Sequence, residues 1–152
     1  MSAAAAVIEQ STVRFEIPSD RNAILSSWLR SYYRQKPRAV AEMKPETYFA
    51  EHQALIKQIL EREETVVLVV PSPAAEAHLC SWLCGEVRPR ELVLHWGVTF
   101  RFARANGFFD ALLERLLAER GDRQLIYTHS TKSSRAFAEK HGATFNPMRL
   151  FA

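Results

Sequence analysis

Cysteine is scarce in this 152-residue chain, and the two present, Cys80 and Cys84, have no second ligand pair beside them. That excludes a disulfide-stapled fold and a zinc site built from paired cysteines. Four apart in a strand-like stretch, they are expected on one face, too far apart to bridge easily. They read as reduced core thiols of a cytoplasmic protein. No apolar run approaches the ~20 residues of a membrane-spanning helix, so no membrane partner is expected. The opening Met1-Ser-Ala-Ala-Ala-Ala-Val has neither the basic start nor the sustained apolar run of a signal peptide. Repeats, low-complexity tracts and linkers are also missing. A single domain over 1–152 is therefore expected, with 1–12 as a flexible tail. Basic residues are not interleaved with aromatics as in a nucleic-acid-reading module, which sets nucleic acid aside as a partner.

What is present is an ordinary globular composition, 47% hydrophobic and 24% charged, with a net charge of +3. Arg30, Arg34, Lys36 and Arg38 cluster; they would suit an acidic partner or a phosphorylated ligand, or equally the solvated end of a helix. The pattern predicts a strand over Val13–Ile17, and Asp20 as N-cap of a helix over Arg21–Arg34. Pro45 opens a second helix to Glu61. Thr65–Val70 reads as a buried strand. His78–Val87 and Glu91–Thr99 read as an antiparallel pair across Arg88-Pro-Arg90. A helix ending at Gly121, a strand over Gln124–Thr128, a helix over Ser134–His141 and a short extended piece from Thr144 complete the order. Strands that first cluster and then alternate with helices indicate a mixed α/β sheet.

The most informative stretch runs from Leu92 to Leu113, where an apolar strand passes through Arg104-Ala-Asn-Gly107-Phe-Phe109 into an amphipathic helix. The first N–H groups of a helix lack intrahelical partners and its dipole favours negative charge there. A phosphate-bearing cofactor suits that geometry.

The element order and these residues resemble the GNAT superfamily of N-acetyltransferases. Arg104-x-x-Gly107-x-Phe109 is similar to its acetyl-CoA motif, Gln/Arg-x-x-Gly-x-Gly/Ala. Phe137, Gly142 and Ala143 fall at the Phe, Gly and terminal Phe positions of its second-half pattern, Asn-x-x-Ala-x-x-Phe-Tyr-x-x-x-Gly-Phe. The resemblance covers residues 13 to 146. It implies a splayed mixed sheet flanked by helices, with the pantetheine arm of acetyl-CoA lying in the gap. Backbone groups of Trp96, Val98 and Thr99 would pair with that arm. Arg104, Ala105, Asn106, Gly107, Phe108 and Phe109 would receive the pyrophosphate, and Ser133 would touch the far end of the cofactor. Glu91, thirteen residues before Arg104, stands where several members carry a general base. His95 is a second base, on the same face if no bulge intervenes. Tyr127 is the nearest phenol able to protonate the departing thiolate. The acceptor would be an amine, on a small molecule or a protein.

Each residue also has a plainer reading. Glu91 could be a solvated strand start, His95 a hydrogen-bonded core imidazole, and Ser133 or Ser134 the cap of the last helix. Three departures from the motif matter further. Phe109 replaces a small residue, so its ring must swing away or occupy part of the site. Ala138 stands where a Tyr often protonates the thiolate. Only ten residues follow Gly142, which gives a truncated final hairpin and an edge for a protein partner or a second copy to cover. These departures support a second function: a catalytically degenerate GNAT fold serving as a protein-binding, inhibitory or assembly module.

Overall fold

The computed structural model describes residues 13–73 and 75–151; the expected tail at 1–12 lies outside them. The chain begins with β1 (Arg14–Phe15), shorter than the strand expected over Val13–Ile17 because Pro18 opens a 3-10 turn, Pro18–Asp20. Asp20 does not cap the next helix with its side chain. Its carboxylate instead pairs with Arg14 at 2.7 Å and accepts from the Ile17 N–H at 2.9 Å. Helix α1 (Arg21–Arg34) follows, then a single turn α2 (Arg38–Ala41) that the Lys36-Pro37 break had concealed, and α3 (Pro45–Glu61). The sheet strands β2 (Thr65–Ser72), β3 (Ala75–Val87) and β4 (Glu91–Thr99) come next, then α4 (Phe108–Leu117) and β5 (Gln124–Tyr127). Helix α5 (Lys132–His141) and β6 (Thr144–Phe145) close the order before a 3-10 turn at Pro147–Leu150. Helix α4 ends short of the expected Gly121: Ala118 is its C-cap, and i→i+3 bonds of Glu119 and Arg120 tighten the exit.

Among the described residues, six strands lie in sequence order in one mixed sheet. β1 to β4 are antiparallel, and β5 and β6 join parallel. One apolar core sits between the sheet and α1 to α3, built on Ile24, Trp28, Tyr48, Ile56, Ile59 and Trp82. The other joins the opposite face to α4, built on Leu68, Leu92, Leu112, Leu116 and Leu125. Apolar residues at helical spacing on α1, α3 and α4 supply the faces that the sheet buries.

Two bulges set what each face receives. In β3 the register slips where Ser81 pairs with Val70 and Leu79 with Pro71, leaving Cys80 opposite no partner. Cys84 accordingly joins the α1–α3 core and Cys80 the α4 core, so the two free thiols do not share a face as alternation alone implied. In β4 the extra residue is His95, between the pairs Leu94 with Gly85 and Trp96 with Cys84. Leu92 and Leu94 point into the α4 core, whereas Trp96 and Val98 pack on the α1–α3 core. Gly85 permits the close approach at this bulge, since a Cβ there would stand 2.6 Å from the Val93 carbonyl oxygen.

Candidate active site between the splayed strands

The parallel pairing of β4 with β5 runs only from Glu91 with Gln124 to Leu94 with Tyr127. A last bond, Thr128 N–H to Leu94 O at 3.2 Å, closes it. Beyond the His95 bulge, Trp96 to Thr99 pair with β3 alone, and among the described residues no strand lies along their other edge. A cavity of about 430 Å³ occupies the gap. Its wall on the α4 side is apolar, with Leu94, Phe109, Leu113 and Phe137. Its other wall carries Ser31, Gln35, His95, Trp96 and His129.

A second hollow of about 300 Å³ adjoins the turn from Thr99 to Asp110. Gly107 holds this turn open in a left-handed conformation, with φ of 74°, as the N-cap of α4. Ala105, with φ of 66°, adopts the same region without being glycine. The Asn106 side-chain amide ties the turn to itself by donating to the carbonyls of Ala103 at 2.9 Å and Arg104 at 3.1 Å. The first intrahelical bond is from Ala111 N–H to Gly107 O, so the N–H groups of Phe108, Phe109 and Asp110 have no intrahelical acceptor. Asp110 also borders this hollow, an acidic neighbour for any anion bound there.

The residues expected to hold a cofactor fall on these two hollows. Trp96, Val98 and Ser133 line the larger, and Ala105, Asn106, Gly107 and Phe108 the smaller. Thr99, Arg104 and Phe109 border both. Phe109 turns its ring toward β4, against Gly97, where any Cβ would overlap the ring. The ring thus forms a partition in the groove, and the larger cavity stays open beside it. Ser133 does not cap α5. Thr131 does, accepting from Ser134 N–H at 3.2 Å, while Ser134 Oγ accepts from Thr131 N–H.

The three proposed catalytic positions separate. Glu91 lies at the far end of β4 from the splay, outside the cavity lining, with Arg149 donating to its oxygens at 3.0 and 3.1 Å. Tyr127 lines the cavity, and its hydroxyl has no protein partner among the described residues. Its ring packs on Phe145. His95 lines the cavity too but is almost wholly buried, held between Glu86 on β3 and Thr128 after β5. Ala138 is buried and absent from the lining, which Phe137 joins instead.

Sequence reasoning missed the groups around His95. Glu86 is fully buried, bound to Arg62 at 2.9 Å and to Arg88 at 3.1 Å. Burial pushes its carboxyl up, but the His95 hydrogen bond and charge, with Arg88 and Arg62, outweigh that and hold it below the usual range. His129 lies within 3.2 Å of both the Trp28 indole nitrogen and His52 Nε2, and within 3.0 Å of Thr128 Oγ1. Burial, with His52 and His95 adding to it, drives the His129 ring well below the usual imidazole range. Burial also lowers His52 to about 4 and lowers His95, the latter against the pull of Glu86. A lone carboxylate in the apolar run Leu79–Val87 was the one sequence signal of this cluster. Trp28, Tyr32 and Tyr48, on the helices beside the cavity, are core residues.

No protein-family sequence profile matches the chain, and no curated protein matches it in sequence. Solved structures do match in shape. An assigned acetyl transferase from Pyrococcus furiosus superposes with a TM-score of 0.63 at 15% identity, over 86% of this chain and 91% of that one. One from Bacillus subtilis gives 0.62 at 17%, over 86% and 91%. A third, from Clostridium acetobutylicum and solved with acetyl-CoA, gives 0.59 at 14%, over 86% and 88%. The fold is that of the GNAT acetyltransferases. The sheet includes the gap at β4 and β5, and among the described residues no helix is long and apolar enough to cross a membrane.

Proposed function

We propose that this chain is an acetyl-CoA-dependent N-acetyltransferase acting on a primary amine. The observation that carries this reading is the open cavity between β4 and β5, adjoining a left-handed glycine turn at the start of α4. The unpaired edge of Trp96–Thr99 would bind the pantetheine amides as a neighbouring strand would. The pyrophosphate would meet the free N–H groups of Phe108 and Phe109, with Arg104 alongside. Acetyl-CoA supplies an activated acyl group; the chain's part is to place it beside the imidazole wall. There His95, which lines the cavity, would take part in proton transfer in place of the distant Glu91, and Tyr127 would offer a phenol for the leaving thiolate.

One observation favours a second reading, in which the fold serves as a binding module. The Phe109 ring stands inside the groove against Gly97. Calorimetric titration with acetyl-CoA and with CoA decides between them. The transferase reading expects micromolar binding that is lost in Arg104→Glu and retained in Glu91→Gln. No heat and no thermal shift at millimolar ligand would leave the binding-module reading standing.

A further inference from the structure

The cavity wall that carries Ser31, Gln35, His95, Trp96 and His129 offers little that a cationic amine needs. Among the described residues that line the cavity there is no carboxylate, and Arg104 brings the one permanent charge. The acids around it are committed elsewhere. Glu91 lies outside the lining, bound by Arg149. Glu86 is buried behind His95, between Arg62 and Arg88. Asp110 borders only the smaller hollow.

The imidazoles do not fill that need. His95 meets Thr128 Oγ1 at 2.8 Å through Nδ1 and Glu86 through Nε2. His129 meets Thr128 Oγ1 at 3.0 Å through Nδ1, and Trp28 and His52 at 3.2 Å through Nε2. No nitrogen of either ring is left to receive an arriving ammonium, and burial keeps both rings uncharged near neutral pH. An alkylamine fares badly at such a wall. With an ammonium pKa of about 10.4, as in lysine, fewer than about one molecule in a thousand is neutral at pH 7. What the wall does offer is aromatic surface. The half-buried Trp96 ring is fixed by donating its N–H to Ser31 Oγ at 2.8 Å, and it packs on His129 with 5.6 Å between centroids. Such a face attracts a cation too, but it leaves the proton in place.

We propose that the acceptor is a weakly basic aromatic amine, an arylamine, which enters the cavity uncharged with its ring against Trp96. This substrate class rests on the transferase reading above. Arg104, bordering both hollows, disfavours a polycation beside it. Attack then needs no base to free the lone pair, which forms the C–N bond to the acetyl carbon. The C–S bond breaks and its electron pair leaves on sulfur. The Tyr127 hydroxyl protonates that sulfur, and the proton shed by the nitrogen replaces the one Tyr127 gave. The proton transfer in which His95 would take part therefore follows attack, when the nitrogen is acidic enough for a weak base.

Release of free CoA from acetyl-CoA by the wild-type chain, with aniline, benzylamine or spermidine as acceptor, tests this. Benzylamine shares the aromatic ring but is an alkylammonium at neutral pH; spermidine is a polycation. Aniline should be acetylated at pH 7, and spermidine more slowly than aniline. Because aniline stays neutral, its pH profile carries only the titrations of the protein. The ratio of kcat/KM for benzylamine to that for aniline then reports the charge state of the amine that enters. It should climb about tenfold per pH unit from about pH 6.5 to about 8.5, as the free base of benzylamine grows. A ratio level across that range means that the ammonium enters and is deprotonated in place, which overturns the proposal. So does faster acetylation of spermidine at pH 7, or no acetylation of aniline by a chain that binds acetyl-CoA. Failure to bind acetyl-CoA in calorimetry overturns the transferase reading instead, so the two failures are distinguishable.

Discussion

The two halves of β4 differ in almost every respect that matters to function. Glu91–Leu94 is flanked by β3 and β5, and Leu92 and Val93 are fully buried. Trp96–Thr99 has β3 on one side, a cavity on the other, and only half-buried side chains. The His95 bulge divides them and re-aims the side chains beyond it. A strand that is structural at one end and a ligand-facing edge at the other places its chemistry at the transition, which is where His95 meets Glu86 and Thr128.

Acid should break the molecule at that transition, and this is the largest effect expected. His52 ionises near 4 in the fold against about 6.5 in an unfolded chain, and His95 and His129 shift in the same direction. Between those values the unfolded chain binds more protons, so stability should be level from about pH 6.5 up to the thiol range, where the raised Cys80 and Cys84 enter, and fall as the pH drops toward 4. The lowered Glu86 carboxyl contributes stability that is lost at still lower pH. Urea midpoints measured across this range check the slope; a midpoint unchanged down to pH 4 would contradict it.

Substitutions then separate the halves. In the structural half, Leu92→Ala empties a fully buried position and should cost roughly 2–5 kcal/mol in urea unfolding. In the ligand-facing half, Gly97→Ala would set a methyl against the Phe109 ring and against Leu83, 2.9 Å away. That should cost a smaller amount, roughly 1–3 kcal/mol, and weaken acetyl-CoA binding by obstructing the groove. Equal destabilisation by the two, with binding untouched, would erase the distinction. The smallest effect belongs to Phe109→Ala, which removes the partition in the groove. It should tighten acetyl-CoA binding by no more than about tenfold, or ~1.4 kcal/mol, read by calorimetry.

Most of the scaffold was legible because its signals are local. Pro45 marks the first residue of α3, Gly107 and Gly142 mark the left-handed ends beside α4 and α5, and the apolar spacing of α1 marks its buried face. The bulges at Cys80 and His95 were not legible, because each is a choice of register between two strands. Thr131 rather than Ser133 caps α5 because one turn's geometry selects among several hydroxyls. The hydrogen-bonded cluster was the hardest to foresee. His52, Glu86, Thr128 and His129 come from three separate elements and acquire meaning only through distances near 3 Å. Glu91, chosen by its spacing from Arg104, is instead bound to Arg149, an ion pair fixed by where the chain returns after β6.

Backbone amide shifts of the 15N-labelled chain, followed as acetyl-CoA is added, test the central claim most directly. The account predicts saturable changes concentrated at Trp96–Thr99 and at Arg104–Asp110, the edge and the turn that border the two hollows. Absence of change there at millimolar acetyl-CoA, or changes confined to other surfaces, would contradict it.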